Sequence, residues 1–84
     1  MNRYLVVTLR KPTFLESAVA PHYAFLDRLR EQGRLELAGP FGDRSGGAYV
    51  LSAASLPEAE ALASADPLAA TGSSQVTVYE WNAA

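Results

Sequence analysis

The segment Arg3-Tyr4-Leu5-Val6-Val7-Thr8-Leu9 places apolar side chains on both parities of a strand rich in β-branched and aromatic residues. Successive strand side chains point to opposite faces of a sheet, so such a strand needs cover on both. A chain of 84 residues can fill one small core and no second one, so its helices can cover only one face. The composition is 49% hydrophobic and lacks cysteine, so no disulfide supplements that core. The uncovered face therefore predicts self-association, with a homodimer as the simplest assembly.

The rest of the chain reads as alternating helices and strands. Thr13-x-x-Glu16 has the spacing of a short capping box, but Pro21 interrupts a long helix, so the main helix is predicted from Pro21 to Gln32 with Phe25, Leu26 and Leu29 as its core stripe. Gly33 is its expected stop, and Arg34 to Ala38 resumes as a strand with Leu35 and Leu37 on one face. Gly39-Pro40 is expected to end that strand, Phe41 to Gly47 to connect, and Ala48 to Ala53 to pair back as a hairpin.

Ser55-Leu56-Pro57-Glu58 is the clearest local signal, a capping box opening a helix whose buried stripe is Leu56, Ala59, Leu62 and Ala63. The helix is expected to pause at Asp66-Pro67, followed by a short turn from Leu68 to Thr71 and a last strand from Gln75 to Trp81. On that strand Val76 and Val78 point one way while Thr77, Tyr79 and Trp81 point the other. The order predicts an α+β, ferredoxin-like βαββαβ sandwich with an antiparallel sheet, residues 1–84 forming a single domain.

Composition excludes several function classes. Nine acidic residues against seven basic ones give a net charge of -2, and no basic block is present to follow a phosphate backbone, so nucleic acid is not an expected partner. Without cysteine there is no thiolate catalysis and no sulfur-ligated metal site. No apolar run approaches the roughly 20 residues that cross a bilayer, and Met1-Asn2-Arg3-Tyr4 does not look like a signal peptide. A soluble, cytoplasmic protein with no membrane partner is expected.

Two polar residues carry the candidate chemistry. His22 lies at the start of the main helix, on or beside the inward face set by Leu26 and Leu29. One reading makes it a proton shuttle, since histidine titrates near neutrality; the other makes it a partly buried or solvent-side residue of the first turn. Asp66 has a structural explanation as the cap of the turn opened by Pro67. The two roles are compatible, because a capping carboxylate can also hold a histidine ring and set its tautomer.

Other features point less sharply. Gly39, Gly42, Gly46 and Gly47 could let a ligand approach the backbone, yet no phosphate-loop pattern accompanies them, and Gly46-Gly47 read as turn residues. Tyr4, Tyr23, Phe25, Phe41, Tyr49, Tyr79 and Trp81 are expected mostly in the core or an interface, with some lining a pocket. Serines 45, 52, 73 and 74 have no base beside them in sequence.

Taken together, Pro21-His22-Tyr23-Ala24-Phe25-Leu26, Gly33-Arg34-Leu35 through Ala38-Gly39-Pro40, Gly46-Gly47, the Ser55 to Ala65 helix and Asp66-Pro67 resemble the YciI-like, or YCII-related, family over nearly the whole chain. The resemblance implies a ferredoxin-like fold pairing as a dimeric α/β barrel, and a His22 and Asp66 active-site pair. The chain departs from the family pattern at Leu68, where an aromatic often follows Asp-Pro, and between Lys11 and Ala20, which lack an arginine often found before the histidine.

Two functional readings follow. In the first, the protein is a small enzyme, isomerase, lyase or dehalogenase-like, in which His22 moves a proton on a compact carbonyl or lactone substrate and Asp66 orients the ring, with no metal or organic cofactor required. Backbone amides near Gly39 or Gly47 would face a developing oxyanion. In the second, it is a non-catalytic small-ligand-binding or accessory dimer. A pocket with the His22 ring open to solvent and hydrogen-bonded to Asp66 favours the first; a ring packed away in the apolar stripe favours the second.

Overall fold

The strand that demands cover on both faces lies in the interior of the sheet. The computed structural model describes residues 1–84, with elements β1 (Asn2–Arg10), a 3-10 turn (Glu16–Ala18), α1 (Val19–Glu31), β2 (Leu35–Pro40), β3 (Gly46–Ala53), α2 (Leu56–Ser64), α3 (Pro67–Ala70) and β4 (Ser74–Glu80). The sheet order is β2-β3-β1-β4 and every pairing is antiparallel. Tyr4, Val6 and Leu51 are buried with Phe25, Leu26 and Leu29 of α1 and Ala59 and Ala63 of α2. Val76 and Val78 pack against this core while Tyr79 stays exposed, as the parity of the strand requires.

The expected α+β sandwich is present, but the dimeric α/β barrel needs correction. The sheet is open: β2 and β4 are its two edges, held apart by β3 and β1. A side-chain-filled barrel takes about eight strands, and four strands twisting by about 20–25° from one to the next do not bring their edges together.

Local boundaries shift for identifiable reasons. Helix α1 begins at Val19, before Pro21, because the first-turn N–H groups of a helix have no intrahelical partner and proline lacks only that group. The Thr13-x-x-Glu16 box does not form: the 3-10 turn starts at Glu16 with Leu15 at its N-cap and no side-chain cap, and Thr13 Oγ1 instead donates to the Gly72 carbonyl at 2.6 Å. Gly33 ends α1 with φ of 72°, the left-handed conformation that favours glycine. Strand β2 runs through Pro40, which an edge strand tolerates. The Ser55 cap forms, its hydroxyl accepting from Glu58 N at 3.3 Å, but Leu56 is 40% exposed and outside the buried stripe.

The pairing of Leu35 and Leu37 on one face is also corrected. Leu35 lies opposite Leu51 and Leu37 opposite Val50, so the register shifts between them. An inserted residue reverses the alternation. Leu35 therefore enters the core at 9% exposure, whereas Leu37 is 68% exposed.

Gly46 and Gly47 belong to β3, not to a turn. A Cβ on Gly46 would collide with the Thr8 carbonyl, and one on Gly47 would lie 2.7 Å from the Gly39 carbonyl oxygen. Space between backbones demands these glycines. Gly46→Ala is expected to destabilise the domain by about 1–3 kcal/mol, read as a lower urea midpoint; an unchanged midpoint would show that β1 and β3 separate without penalty.

Candidate functional site

Asp66 becomes a site residue because the chain cannot bury its carboxylate without donors. It precedes Pro67 as the cap of α3 and is completely buried. Oδ1 accepts from Leu68 N at 2.9 Å and lies 2.8 Å from His22 Nδ1, while Tyr49 donates its hydroxyl to Oδ2 at 3.0 Å. The cap and the His22 contact coexist on the same oxygen. Three elements therefore converge on one carboxylate: α1 through His22, β3 through Tyr49 and α3 through Leu68.

The carboxylate selects the histidine tautomer. An ionised acid offers only acceptors, so Nδ1 carries the hydrogen toward Asp66 and Nε2 is left with its lone pair. The His22 side chain keeps 14% of its surface exposed, and its ring stands between Tyr23 and Tyr49 with centroid separations of 5.5 and 6.1 Å. It borders a cavity of about 180 Å³ on the helix side of the sheet, together with Tyr23, Tyr49, Leu68, Arg10 and Gly47. A dry cavity of about 150 Å³ admits benzene, so this volume suits a molecule about the size of one substituted ring.

Tyr49 is the member of this carboxylate network that sequence reasoning placed only among general pocket aromatics. Its signal was strand parity, which sets it on the Leu51 face of β3 opposite Val6. Burial, reinforced by the Asp66 charge and hydrogen bond, pushes the Tyr49 hydroxyl far above its ordinary value of 10.0, so it remains a donor. Arg10 also enters the cavity wall, and no sequence pattern singled it out. Of the other aromatics weighed as pocket residues, Tyr4 and Phe25 are core, and Phe41, Tyr79 and Trp81 lie on the surface. None of the four serines lines the cavity; Ser73 is fully buried and accepts from Leu15 N at 3.2 Å. Gly39 and Gly47 both border the cavity, as parts of paired strands.

Residues 2–82 match the family model of the YCII-related domain. The chain belongs to that family. This YCII-related domain is 52% identical over 81 residues to the uncharacterized protein YjpA of Bacillus subtilis (strain 168), covering 96% of this chain and 95% of that protein. Among solved structures it resembles the 5-chloro-2-hydroxyhydroquinone dehydrochlorinase TftG of Burkholderia phenoliruptrix AC1100, in complex with 2,5-dihydroxybenzoquinone. That likeness has a TM-score of 0.77 at 22% identity, over 95% of this chain and 93% of the other, and is a likeness of fold.

Removing the Tyr49 hydroxyl leaves a buried carboxylate oxygen short of a donor. Tyr49→Phe is expected to lower stability by about 1–3 kcal/mol near neutral pH, measured by urea unfolding. Because the folded-state pKa of Tyr49 is raised, the wild-type advantage is full below the ordinary tyrosine value and shrinks as pH rises beyond it. The gap between the two proteins should narrow above pH ~10. A gap independent of pH would refute the assignment of the hydroxyl as donor.

Proposed function

We propose that this YCII-related domain is a small-molecule enzyme in which His22 is the general acid/base and Asp66 its orienting partner. The observation that carries the reading is the 2.8 Å contact of His22 Nδ1 with the buried Asp66 carboxylate, on a ring that borders a ring-sized cavity. Neutral His22 takes a proton at Nε2 from a carbon beside a carbonyl, and the electron pair passes to the carbonyl oxygen as an enolate. Collapse of the enolate with return of the proton elsewhere is isomerisation; collapse with expulsion of a group such as chloride from the adjacent carbon is elimination. The imidazolium formed in either case is stabilised by the Asp66 charge.

TftG supports the elimination branch, being a dehydrochlorinase of a single-ring substrate on the same fold. The proposed substrates are compact carbonyl compounds: lactones, hydroxyquinones or their halogenated forms. A cysteine-free chain suits work in a reducing cytoplasm.

We also propose that a second copy of the chain covers the open sheet face. Leu9, Leu37, Tyr79 and Trp81 expose 45, 68, 54 and 45% of their surface. The charged groups at its end, Arg3 and Glu36, pair with each other at 3.0 Å, so the face is internally neutral and can meet its own copy without repulsion. Only 18 of the 84 residues are buried, a small core for an independent monomer.

Two experiments test these readings. Lactones, carbonyl acids and chlorinated hydroxyhydroquinones would be screened for turnover, where His22→Asn should lower kcat by roughly 100-fold or more. Asp66→Asn, which still caps α3, should lower it by a smaller factor. Turnover indifferent to both would move the chemistry elsewhere, and saturable binding without turnover would favour an accessory role. Sedimentation equilibrium at micromolar concentration should give the dimer mass for wild type and the monomer mass for Tyr79→Glu; a monomeric wild type would reject the second copy.

A further inference from the structure

Arg10 ends β1 and shares the parity of Tyr4, Val6 and Thr8, which directs it to the helix side of the sheet, where it borders the His22 cavity. Ion pairs occupy Arg3 with Glu36, Arg30 with Asp27 and Arg34 with Glu58. Arg10 has no such carboxylate. Its guanidinium carbon instead stands 4.2 Å from the centroid of the Phe14 ring. The other charged side chains at the cavity, Asp27 and Arg30, neutralise each other at 2.9 Å.

The platform under Arg10 is built rather than loose. The segment carrying Phe14 is tied to the start of β4 by Lys11 N to the Ser73 carbonyl at 3.0 Å, Leu15 N to Ser73 Oγ at 3.2 Å and Thr13 Oγ1 to the Gly72 carbonyl at 2.6 Å. A guanidinium stacked on an aromatic plate loses little entropy when its N–H edge binds, and that edge matches two oxygens of one planar anion. The cavity thus joins an uncompensated cation with the free nitrogen of His22.

We propose that Arg10 is a specificity-determining residue that makes the cavity select compact, ring-sized organic anions, by pairing its guanidinium with a carboxylate or ionised enol of the substrate. The inference rests on the reading of the His22 cavity as the substrate site. It adds the charge of the molecule that enters. Neutral compounds of the same shape lack the ionic contact and bind more weakly.

The test uses benzoate as the anionic probe and benzamide as its neutral isostere, titrated into the full-length protein and followed by amide chemical shifts around His22 and Tyr23. Benzoate is expected to bind wild type saturably. Arg10→Gln should weaken benzoate by about tenfold or more, with Arg10→Lys intermediate, while benzamide binding stays where it was. Arg28→Gln, on an exposed part of α1 outside the cavity, should match wild type. Equal benzoate affinity in wild type and Arg10→Gln would overturn the proposal, as would the absence of saturable benzoate binding or shifts confined to another surface. Urea midpoints of the variants confirm folding. If turnover survives His22→Asn while benzoate binding still depends on Arg10, the acid/base reading fails alone and the anion site stands.

Discussion

The buried Asp66 carboxylate is the constraint around which the domain is organised. A charge without solvent is strongly unfavourable unless its oxygens find donors. Here the donors come from His22, Tyr49 and the Leu68 amide. Each of these sits on a different element, so the start of α1, the middle of β3 and the α3 turn must be brought together for the charge to be tolerated. Hydrogen bonds to charged groups contribute about 1.5–3 kcal/mol each, enough to matter in a domain of this size.

The same requirement creates the cavity. Tyr49 must reach past the sheet surface to Asp66, and its ring meets Phe25 edge-on at a centroid distance of 6.4 Å, which anchors it to the core. His22, at the fourth position of α1, turns its Nδ1 toward the carboxylate and keeps Nε2 unengaged. What remains between α1 and the strands is space about the size of one ring, lined by apolar groups together with His22 and Arg10. Stability and the proposed chemistry therefore draw on one hydrogen-bond network, and mutations at its members should affect both.

The opposite face of the sheet follows a separate logic. One inserted residue in β2 sends Leu35 into the core and Leu37 to the surface, adding an apolar side chain to a face already carrying Leu9, Tyr79 and Trp81. The open edges of β2 and β4 do not join within the chain. Cover for this face depends on what it meets, whereas the helix face is complete by itself.

Local chemistry determined much of the outcome. Strand periodicity, the Ser55 cap, the Gly33 stop and the Asp66-Pro67 cap each act over a few residues, so the α+β order and the core stripe of α1 were legible in the chain; the Glu58 half of the capping box did not form, because its carboxylate pairs with Arg34. Asp66 and His22 were legible as candidates for the same reason, one as a cap and the other at a helix start, with the family resemblance joining them. Their 2.8 Å contact was not legible, because 44 positions separate them and only the packing of α1 against the α3 turn sets the distance. Tyr49 as the second donor, Arg10 at the cavity rim, the β2 register shift and the crowding at Gly46 are likewise cross-strand or cross-layer relations. Sequence carries the tendency of each segment to fold; which groups then meet is decided by how the segments pack, and that is where the site arises.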